Sequence, residues 1–185
     1  AKSPSEWLEK ITDAVNHLKA DVVVITGDII DIGNLCIEGA DYCKALKKIK
    51  ARCGIYAVSG NHEYYAGYDN FRKFAGEANI KILENENVFV PLLLAKEPDS
   101  SSGTIPRRND GGIIIAGIPD DEAARFGGKN SAPDFAKAIR GADTSGNYSI
   151  LLAHRPTDFE NHRSGGIDLQ LSGHLHAGQI PPMDL

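Results

Sequence analysis

Runs of β-branched residues alternate with helix-like segments along most of this chain, and this alternation limits the possible fold more than any other feature. Residues 22–26 form a continuous run, Val-Val-Val-Ile-Thr, which favours a strand covered on both faces. A helical pattern begins before it at Ser3-Pro4-Ser5-Glu6, and a second helix is predicted over 38–50. This order of elements predicts a layered α/β fold.

The middle of the chain departs from the alternation. Two predicted strands, at 88–94 and 112–118, have no helix between them, so we expect them to pair antiparallel across an exposed loop at 96–110. The other predicted elements are strands at 54–59, 80–83, 148–153 and 167–171, helices at 69–78, 131–141 and 156–162, and a polar loop at 60–63. We therefore predict helices that flank two sheets.

The composition excludes several classes of protein. Hydrophobic residues make up 42% and charged residues 24% of 185 residues, which is typical of one globular domain with its own core. The net charge is −5 and the basic residues are scattered, so no nucleic-acid interface is predicted. No apolar run reaches the ~20 residues of a membrane span. Cys36, Cys43 and Cys53 cannot all pair within one chain, which favours a reducing compartment or a free thiol in a secreted protein. All three are interpreted as small buried hydrophobes.

Four of the predicted strands end in side chains that are able to bind metal ions. These ends are Gly27-Asp28, Gly60-Asn61-His62-Glu63, His154-Arg155 and Gly173-His174-Leu175-His176. Each one alone has a plainer explanation, as a turn, a helix cap or a hydrogen-bonded structural histidine. Four of the six histidines lie at these ends, however, whereas His17 and His162 are interpreted as helix-surface residues. Because loops beyond the carboxyl ends of strands carry the chemistry of such folds, the combination predicts one metal centre.

This ordered set of motifs resembles the calcineurin-like metallophosphoesterase family, whose motifs are Asp-x-His, Gly-Asp-x-x-Asp, Gly-Asn-His-Glu, a lone His and Gly-His-x-His. The last four match Gly27-Asp28-Ile29-Ile30-Asp31, Gly60-Asn61-His62-Glu63, His154 and Gly173-His174-Leu175-His176. The resemblance spans nearly the whole chain and implies a four-layer α/β/β/α sandwich. Within the family, the chain is most similar to the branch that includes membrane-associated bacterial phosphoesterases acting on lipid-like substrates.

The resemblance also implies a role for each matched residue. Asp28 would bridge two divalent metal ions (Mn²⁺, Fe²⁺/Fe³⁺ or Zn²⁺), Asn61, His154 and His174 would complete the second metal site, and His176 would bind the first metal. A hydroxide that bridges the metals would then hydrolyse a phosphomonoester or a phosphodiester by in-line attack. His62 would face the substrate and protonate the leaving alkoxide.

Three neighbouring residues allow more than one interpretation. Asp31 and Glu63 are interpreted either as groups that orient the imidazoles or, equally, as a plain cap or surface residue. Arg155 is next to a ligand and could contact phosphate, but a surface position is the favoured interpretation.

One family motif, Asp-x-His, does not occur in these residues. Its absence leaves the first metal with Asp28 and His176, so we expect 1–185 to be a single metallophosphoesterase domain, incomplete at both ends and without its first strand. The parent protein is predicted to be a binuclear enzyme, cytoplasmic or peripherally associated with a membrane. Two alternatives stay open: a catalytically impaired metal-binding or interaction module, and a mononuclear metal-binding domain built on Asp28, Asn61, His154 and His174. The presence of His62 favours the enzyme, while the substrate and the oligomeric state are not indicated.

Overall fold

Two β-sheets lie face to face, with helices on the outer side of each. The computed structural model describes residues 4–30, 41–91, 111–127 and 131–175. Its helices are α1 (Pro4–His17), α2 (Asp41–Leu46), α3 (Asn61–Tyr65), α4 (Tyr68–Glu77), α5 (Glu122–Phe126), α6 (Phe135–Ala138) and α7 (Phe159–Ser164). Its strands are β1 (Val23–Ile25), β2 (Ile55–Ala57), β3 (Ile80–Ile82), β4 (Glu86–Pro91), β5 (Gly112–Ile118), β6 (Tyr148–Ala153) and β7 (Leu169–Leu171).

The two sheets differ in strand direction. The first sheet has the order β1-β2-β3 and all of its pairs are parallel. The second sheet has the order β4-β5-β6-β7, in which β4 is antiparallel to β5 and the other pairs are parallel. The predicted antiparallel pair is therefore confirmed, with Phe89 opposite Ile114. The predicted exposed loop at 96–110 lies outside the described residues.

Alternate side chains along each strand enter different layers, because successive residues of a strand point to opposite faces. Between the sheets, one cluster is formed by Tyr56, Val58, Leu83, Val90, Ile115 and Leu152. On the outer face of the first sheet, α1, α2 and α4 cover a second cluster that includes Leu8, Leu46, Phe71, Phe74, Ile55 and Ile80. On the outer face of the second sheet, Phe135 and Ile139 pack against Ala116, Leu151 and Ala153. The predicted four-layer α/β/β/α sandwich is confirmed.

The two sheets are in close contact at Gly117 in β5. A Cβ atom there would lie 2.5 Å from Leu83 Cβ and 2.8 Å from Val58 Cγ1. These two residues directly follow strands of the first sheet. The backbone N–H of Asn85 also donates to the Gly117 carbonyl at 2.8 Å. Position 117 therefore requires glycine. At this point β5 lies against the segment between β3 and β4, where the chain crosses from one sheet to the other.

Some sequence predictions of helices and surface residues were wrong. Residues 60–63 are not a loop, because α3 begins at Asn61. The helix predicted over 131–141 is shorter in the structure and comprises only α6. This helix begins after Asp134, whose carboxylate caps it by accepting the Lys137 N–H. His162 was assigned to the surface but is only 4% exposed, with its ring 4.6 Å from that of Phe135 and its Nδ1 2.8 Å from Gln170 Oε1.

Other predictions agree with the described residues. His17 is exposed, as expected. Cys53 is a partly buried free thiol that packs against the core between the sheets, whereas nothing is described of the side chains of Cys36 and Cys43. Within the described part of the chain, no helix has both the length and the apolar character needed to cross a bilayer; α1, at 14 residues, is the longest of these helices.

Candidate metal centre

Four of the six predicted site residues meet at the carboxyl ends of two pairs of parallel strands, one pair in each sheet. Asp28 follows β1, Asn61 is the first residue of α3 after β2, and His154 directly follows β6. His174 follows β7 and has a left-handed backbone, with φ of 67°. Because the carboxyl ends of parallel strands meet at one edge of a sheet, and the two sheets are stacked, loops from both sheets converge on one point.

The polar atoms of these four residues form a tight cluster. His154 Nε2 lies 3.2 Å from Asp28 Oδ2, 3.2 Å from Asn61 Oδ1 and 3.2 Å from His174 Nδ1. His174 Nδ1 is in turn 3.1 Å from Asn61 Oδ1. The first sheet therefore contributes two oxygen atoms and the second sheet two nitrogen atoms.

The hydrogen bonds of His154 determine which ring nitrogen carries the proton and which one presents a lone pair to the cluster. Its Nδ1 is 2.6 Å from the Thr26 carbonyl oxygen, which accepts only, so Nδ1 carries the proton. In the neutral imidazole, Nε2 then presents a lone pair toward Asp28 and Asn61, which are acceptors too. Lone pairs that face one another repel unless a cation or a proton lies between them.

The spacing of the cluster suits a divalent cation. For an ion bound at about 2.0–2.2 Å, neighbouring ligand atoms lie about 3.0 Å apart in octahedral geometry and about 3.4 Å apart in tetrahedral geometry. The observed separations of 3.1–3.2 Å fall between these values. A mixed set of imidazole and oxygen ligands suits Mn²⁺, Fe or Zn²⁺. The residues present thus fit a resident metal ion.

The electrostatics of the cluster also favour a positive charge at this point. Burial would raise the pKa of Asp28, but the neighbouring imidazole of His154 and the backbone N–H of His62 hold it below its usual value. Burial would lower the pKa of His154, but its contacts with Asp28 and Thr26 raise it. For His174, burial together with the charges of Arg155 and His154 lowers the pKa, which favours the neutral form of the imidazole.

Two glycines allow the loops of the first sheet to touch. Gly27 has φ of 89°, and a Cβ on it would lie 2.5 Å from Gly60 N and 2.7 Å from His154 Nδ1. A Cβ on Gly60 would overlap Asp28 Oδ1 and would lie 2.8 Å from His154 Cε1. Any larger residue would therefore push Asp28, Asn61 and His154 apart.

Glu63 holds these loops through their backbone. Its side chain is completely buried, and its carboxylate accepts the N–H groups of Asp28 at 2.8 Å, Ile29 at 2.6 Å, Ile30 at 3.0 Å and Gly60 at 2.6 Å. Burial raises the pKa of Glu63, and the backbone N–H groups oppose that rise. Of the two interpretations of Glu63 left open by the sequence, the contacts agree with the cap: Glu63 caps α3 through Gly60 and shapes the loop that carries Asp28. Asp31 lies outside the described residues.

His62 lies beside the cluster and not within it. Its backbone N–H donates to Asp28 Oδ1 at 3.1 Å, and its half-buried ring is 5.9 Å from the ring of Tyr65. Among the described histidines and acidic residues, the group able to hold a metal comprises Asp28, His154 and His174. The sixth predicted site residue, His176, lies outside the described residues.

Sequence reasoning missed Asp120 and underestimated Arg155. Asp120 follows β5 and is 2% exposed; its Oδ2 accepts from Arg155 Nε at 2.7 Å and its Oδ1 from Nη2 at 3.3 Å. Arg155 Nη1 lies 3.4 Å from His174 Nε2. Arg155 is thus fixed against the centre and is not a free surface residue. The signal was present in the sequence, because Asp120 follows the end of a strand as the other site residues do.

A cavity of about 960 Å³ lies beside the centre, between the end of the second sheet and its helices. His154 and Arg155 form its border with the metal centre, while Phe135, Asp158 and His162 line its far side. The cavity gives a substrate room next to Arg155.

The motifs and the geometry agree with the comparison to known proteins. The model of the calcineurin-like phosphoesterase family matches residues 3–178, and the chain belongs to this family. It is 33% identical over 181 residues to an uncharacterized metallophosphoesterase of Helicobacter pylori, covering 97% of this chain and 42% of that protein. It is 35% identical over 174 residues to a transmembrane protein with metallophosphoesterase domain of Bos taurus, covering 92% of this chain and 36% of that protein. The chain therefore spans less than half the length of either relative.

A solved structure shows the same fold at lower similarity. The NAD nucleotidase NadN of Haemophilus influenzae superimposes with a TM-score of 0.51 at 20% sequence identity, covering 91% of this chain and 35% of that one. This likeness confirms the predicted fold and carries no information on the substrate.

Proposed function

We propose that this chain forms the hydrolytic centre of a metal-dependent phosphoesterase. The observation that supports it best is the cluster of Asp28, Asn61, His154 and His174, whose facing acceptor atoms are spaced for a divalent ion. Family membership supports the same reaction class independently. Asp28 and the three other residues hold the metal, and a bound metal polarises the phosphoryl group and lowers the pKa of water.

His62 acts on the substrate and not on the metal. It lies next to Asp28 but outside the ligand cluster, on the short helix α3 whose N-terminus is fixed by Glu63. From this position its imidazole donates a proton to the leaving alkoxide, a step that usually contributes ~10²–10⁴-fold to the rate.

A binuclear centre needs more ligands than the described residues provide. Of the first metal's ligands that the family motifs imply, Asp28 and His176 are in this sequence and an Asp-x-His is not. We therefore propose that the chain binds one metal ion firmly and a second one weakly until an Asp-x-His is supplied. Dialysis followed by elemental analysis measures this, and two firmly held ions per chain would contradict it.

The roles of His62 and His174 are separated by activity and metal content together. On a version of the chain with an upstream strand that ends in Asp-x-His, hydrolysis of p-nitrophenyl phosphate and bis(p-nitrophenyl) phosphate is measured with added Mn²⁺. We expect His62→Asn to lower kcat by ~10²–10⁴-fold with unchanged metal content. His174→Ala should lose both activity and metal.

His17→Asn is the matched control, because His17 is an exposed histidine on α1. Equal metal loss in His62→Asn and His174→Ala would make His62 a ligand and remove the proposed proton donor. Metal binding without turnover of either ester would favour a metal-binding module on the same fold.

For the substrate we propose a lipid-like phosphoester met at a membrane surface. The support is the resemblance of the motifs to a membrane-associated branch and the fact that relatives from Bos taurus and Danio rerio are named transmembrane proteins with metallophosphoesterase domain. Hydrolysis of a phospholipid headgroup ester in vesicles, compared with a soluble ester of the same headgroup, tests it. Faster turnover of the soluble ester would overturn this narrower proposal.

A further inference from the structure

Arg155 is placed at the metal centre by a buried ion pair. The Asp120 side chain has no exposed surface, and it binds Nε and Nη2 of Arg155 in a two-point contact. A guanidinium held in this way has lost most of its freedom, and its other N–H donors stay available. Nη1 is directed to the side of the centre, 3.4 Å from His174 Nε2.

The Arg155–His174 contact changes character when His174 binds a metal. It is a hydrogen bond only if Nε2 is the unprotonated nitrogen, since guanidinium N–H groups donate and do not accept. His174 Nδ1, however, is the atom that lies 3.1 Å from Asn61 Oδ1 and 3.2 Å from His154 Nε2 in the ligand cluster. An imidazole that uses its Nδ1 lone pair as a ligand carries its proton on Nε2. Nη1 and Nε2 are then two donors that face one another.

Two donors this close need an acceptor that both can reach. An anionic oxygen satisfies them together, and charge-assisted hydrogen bonds of this kind are the strong ones. The substrate of the proposed reaction has such oxygens on its phosphoryl group, beside the metal that His174 holds. The large cavity also borders on Arg155 and leaves room for the rest of the molecule.

We propose that Arg155 Nη1 and the Nε2–H of His174 form a binding seat for a non-bridging phosphoryl oxygen, and that Asp120 is the residue that positions Arg155 for it. The seat rests on the proposed function, because it forms when His174 binds a metal. Arg155 and His174, which orient the phosphoryl group, belong to loops of the second sheet, whereas His62 belongs to α3, which follows a strand of the first sheet.

The test is calorimetric titration of inorganic phosphate into the metal-loaded chain. We expect Arg155→Met to weaken phosphate binding by about 10- to 100-fold, the range for one charged hydrogen bond. Arg155→Lys should recover only part of the affinity, because an ammonium cannot bind Asp120 in two places and also reach the oxygen. Asp120→Asn should give an intermediate loss, with the metal content of all three variants unchanged.

Arg125→Met is the matched control, since Arg125 is an exposed arginine that pairs with Glu122 and should leave phosphate affinity as it was. Equal phosphate affinity in Arg155→Met and the unchanged chain would overturn the seat while leaving the proposed hydrolysis intact. A metal-loaded chain that binds no phosphate and hydrolyses no ester would overturn both. Loss of metal in Arg155→Met would show that Arg155 supports the ligands and does not bind the phosphoryl group.

Discussion

The two halves of the candidate metal centre are built differently, although each lies at the carboxyl ends of a pair of parallel strands. The first sheet supplies candidate oxygen ligands from Asp28 and Asn61, and the second supplies candidate nitrogen ligands from His154 and His174. Each half also contains one buried carboxylate. In the first half Glu63 binds backbone N–H groups, and in the second Asp120 binds the guanidinium of Arg155.

The difference follows from where the ligands lie relative to the strands. His154 directly follows β6, and the Gly173 N–H donates to the His154 carbonyl at 2.9 Å, so the register of the second sheet extends into the site. Asp28 lies three positions beyond β1, in a glycine-containing loop with φ of 56° at Asp28 itself. Such a loop has no sheet partner for its N–H groups, and the Glu63 carboxylate takes that place. The first half therefore depends on a side chain for its backbone shape.

Replacing the two buried carboxylates should give the largest difference between the halves. We expect Glu63→Gln to lower the free energy of unfolding by about 3–5 kcal/mol, because an amide NH₂ would face backbone donors and the charged hydrogen bonds would be lost. Asp120→Asn should cost about 1–2 kcal/mol, since the amide oxygen can still accept the Glu122 N–H and the lost ion pair involves a side chain that can then turn toward solvent. Urea unfolding of the metal-free proteins measures both. Equal losses would show that the two halves are held in the same way.

An intermediate effect is expected where the loops of the first half touch. Gly60→Ala should destabilise the fold by about 1–3 kcal/mol and weaken metal binding, because the new methyl group overlaps Asp28 Oδ1. Gly76→Ala is the matched control: a Cβ at Gly76, inside α4, meets nothing within 4 Å, so this change should stabilise by about 0.5–1 kcal/mol. Thermal unfolding with and without Mn²⁺ compares the two. A Gly60→Ala protein with normal metal affinity would contradict the close contact of the loops.

The smallest effect is expected at the corresponding glycine of the second half. A Cβ on Gly173 would lie 3.1 Å from Thr26 Oγ1 and 3.2 Å from the Thr26 carbonyl oxygen, a contact that a small shift relieves. Gly173→Ala should therefore cost less than about 1 kcal/mol, with near-normal metal affinity. The same unfolding and metal-binding measurements apply. A loss at Gly173 as large as that at Gly60 would mean that both halves are equally tightly packed.

Local patterns in the sequence determined the fold class and the family. The run at 22–26 and the apolar stretches of β5 and β6 indicate buried strands, and such a pattern can be recognised from neighbouring residues alone. The antiparallel pairing of β4 with β5 followed from the lack of a helix between them. The strand-end motifs likewise identified the residues that the structure brings together, because a polar residue directly after an apolar strand can be recognised without knowing its partners.

Only the tertiary structure decided how those residues are held. The hydrogen bonds of Glu63 reach residues 33–35 positions away, and Arg155 finds its carboxylate 35 positions away. These contacts depend on which strands are neighbours and on how closely the two sheets pack, as do the burial of His162 and the close approach at Gly117. Strand order and sheet spacing cannot be derived from local propensity, because both are set by the packing of the whole core. The candidate ligands were therefore readable from the chain, while their support was determined by the fold.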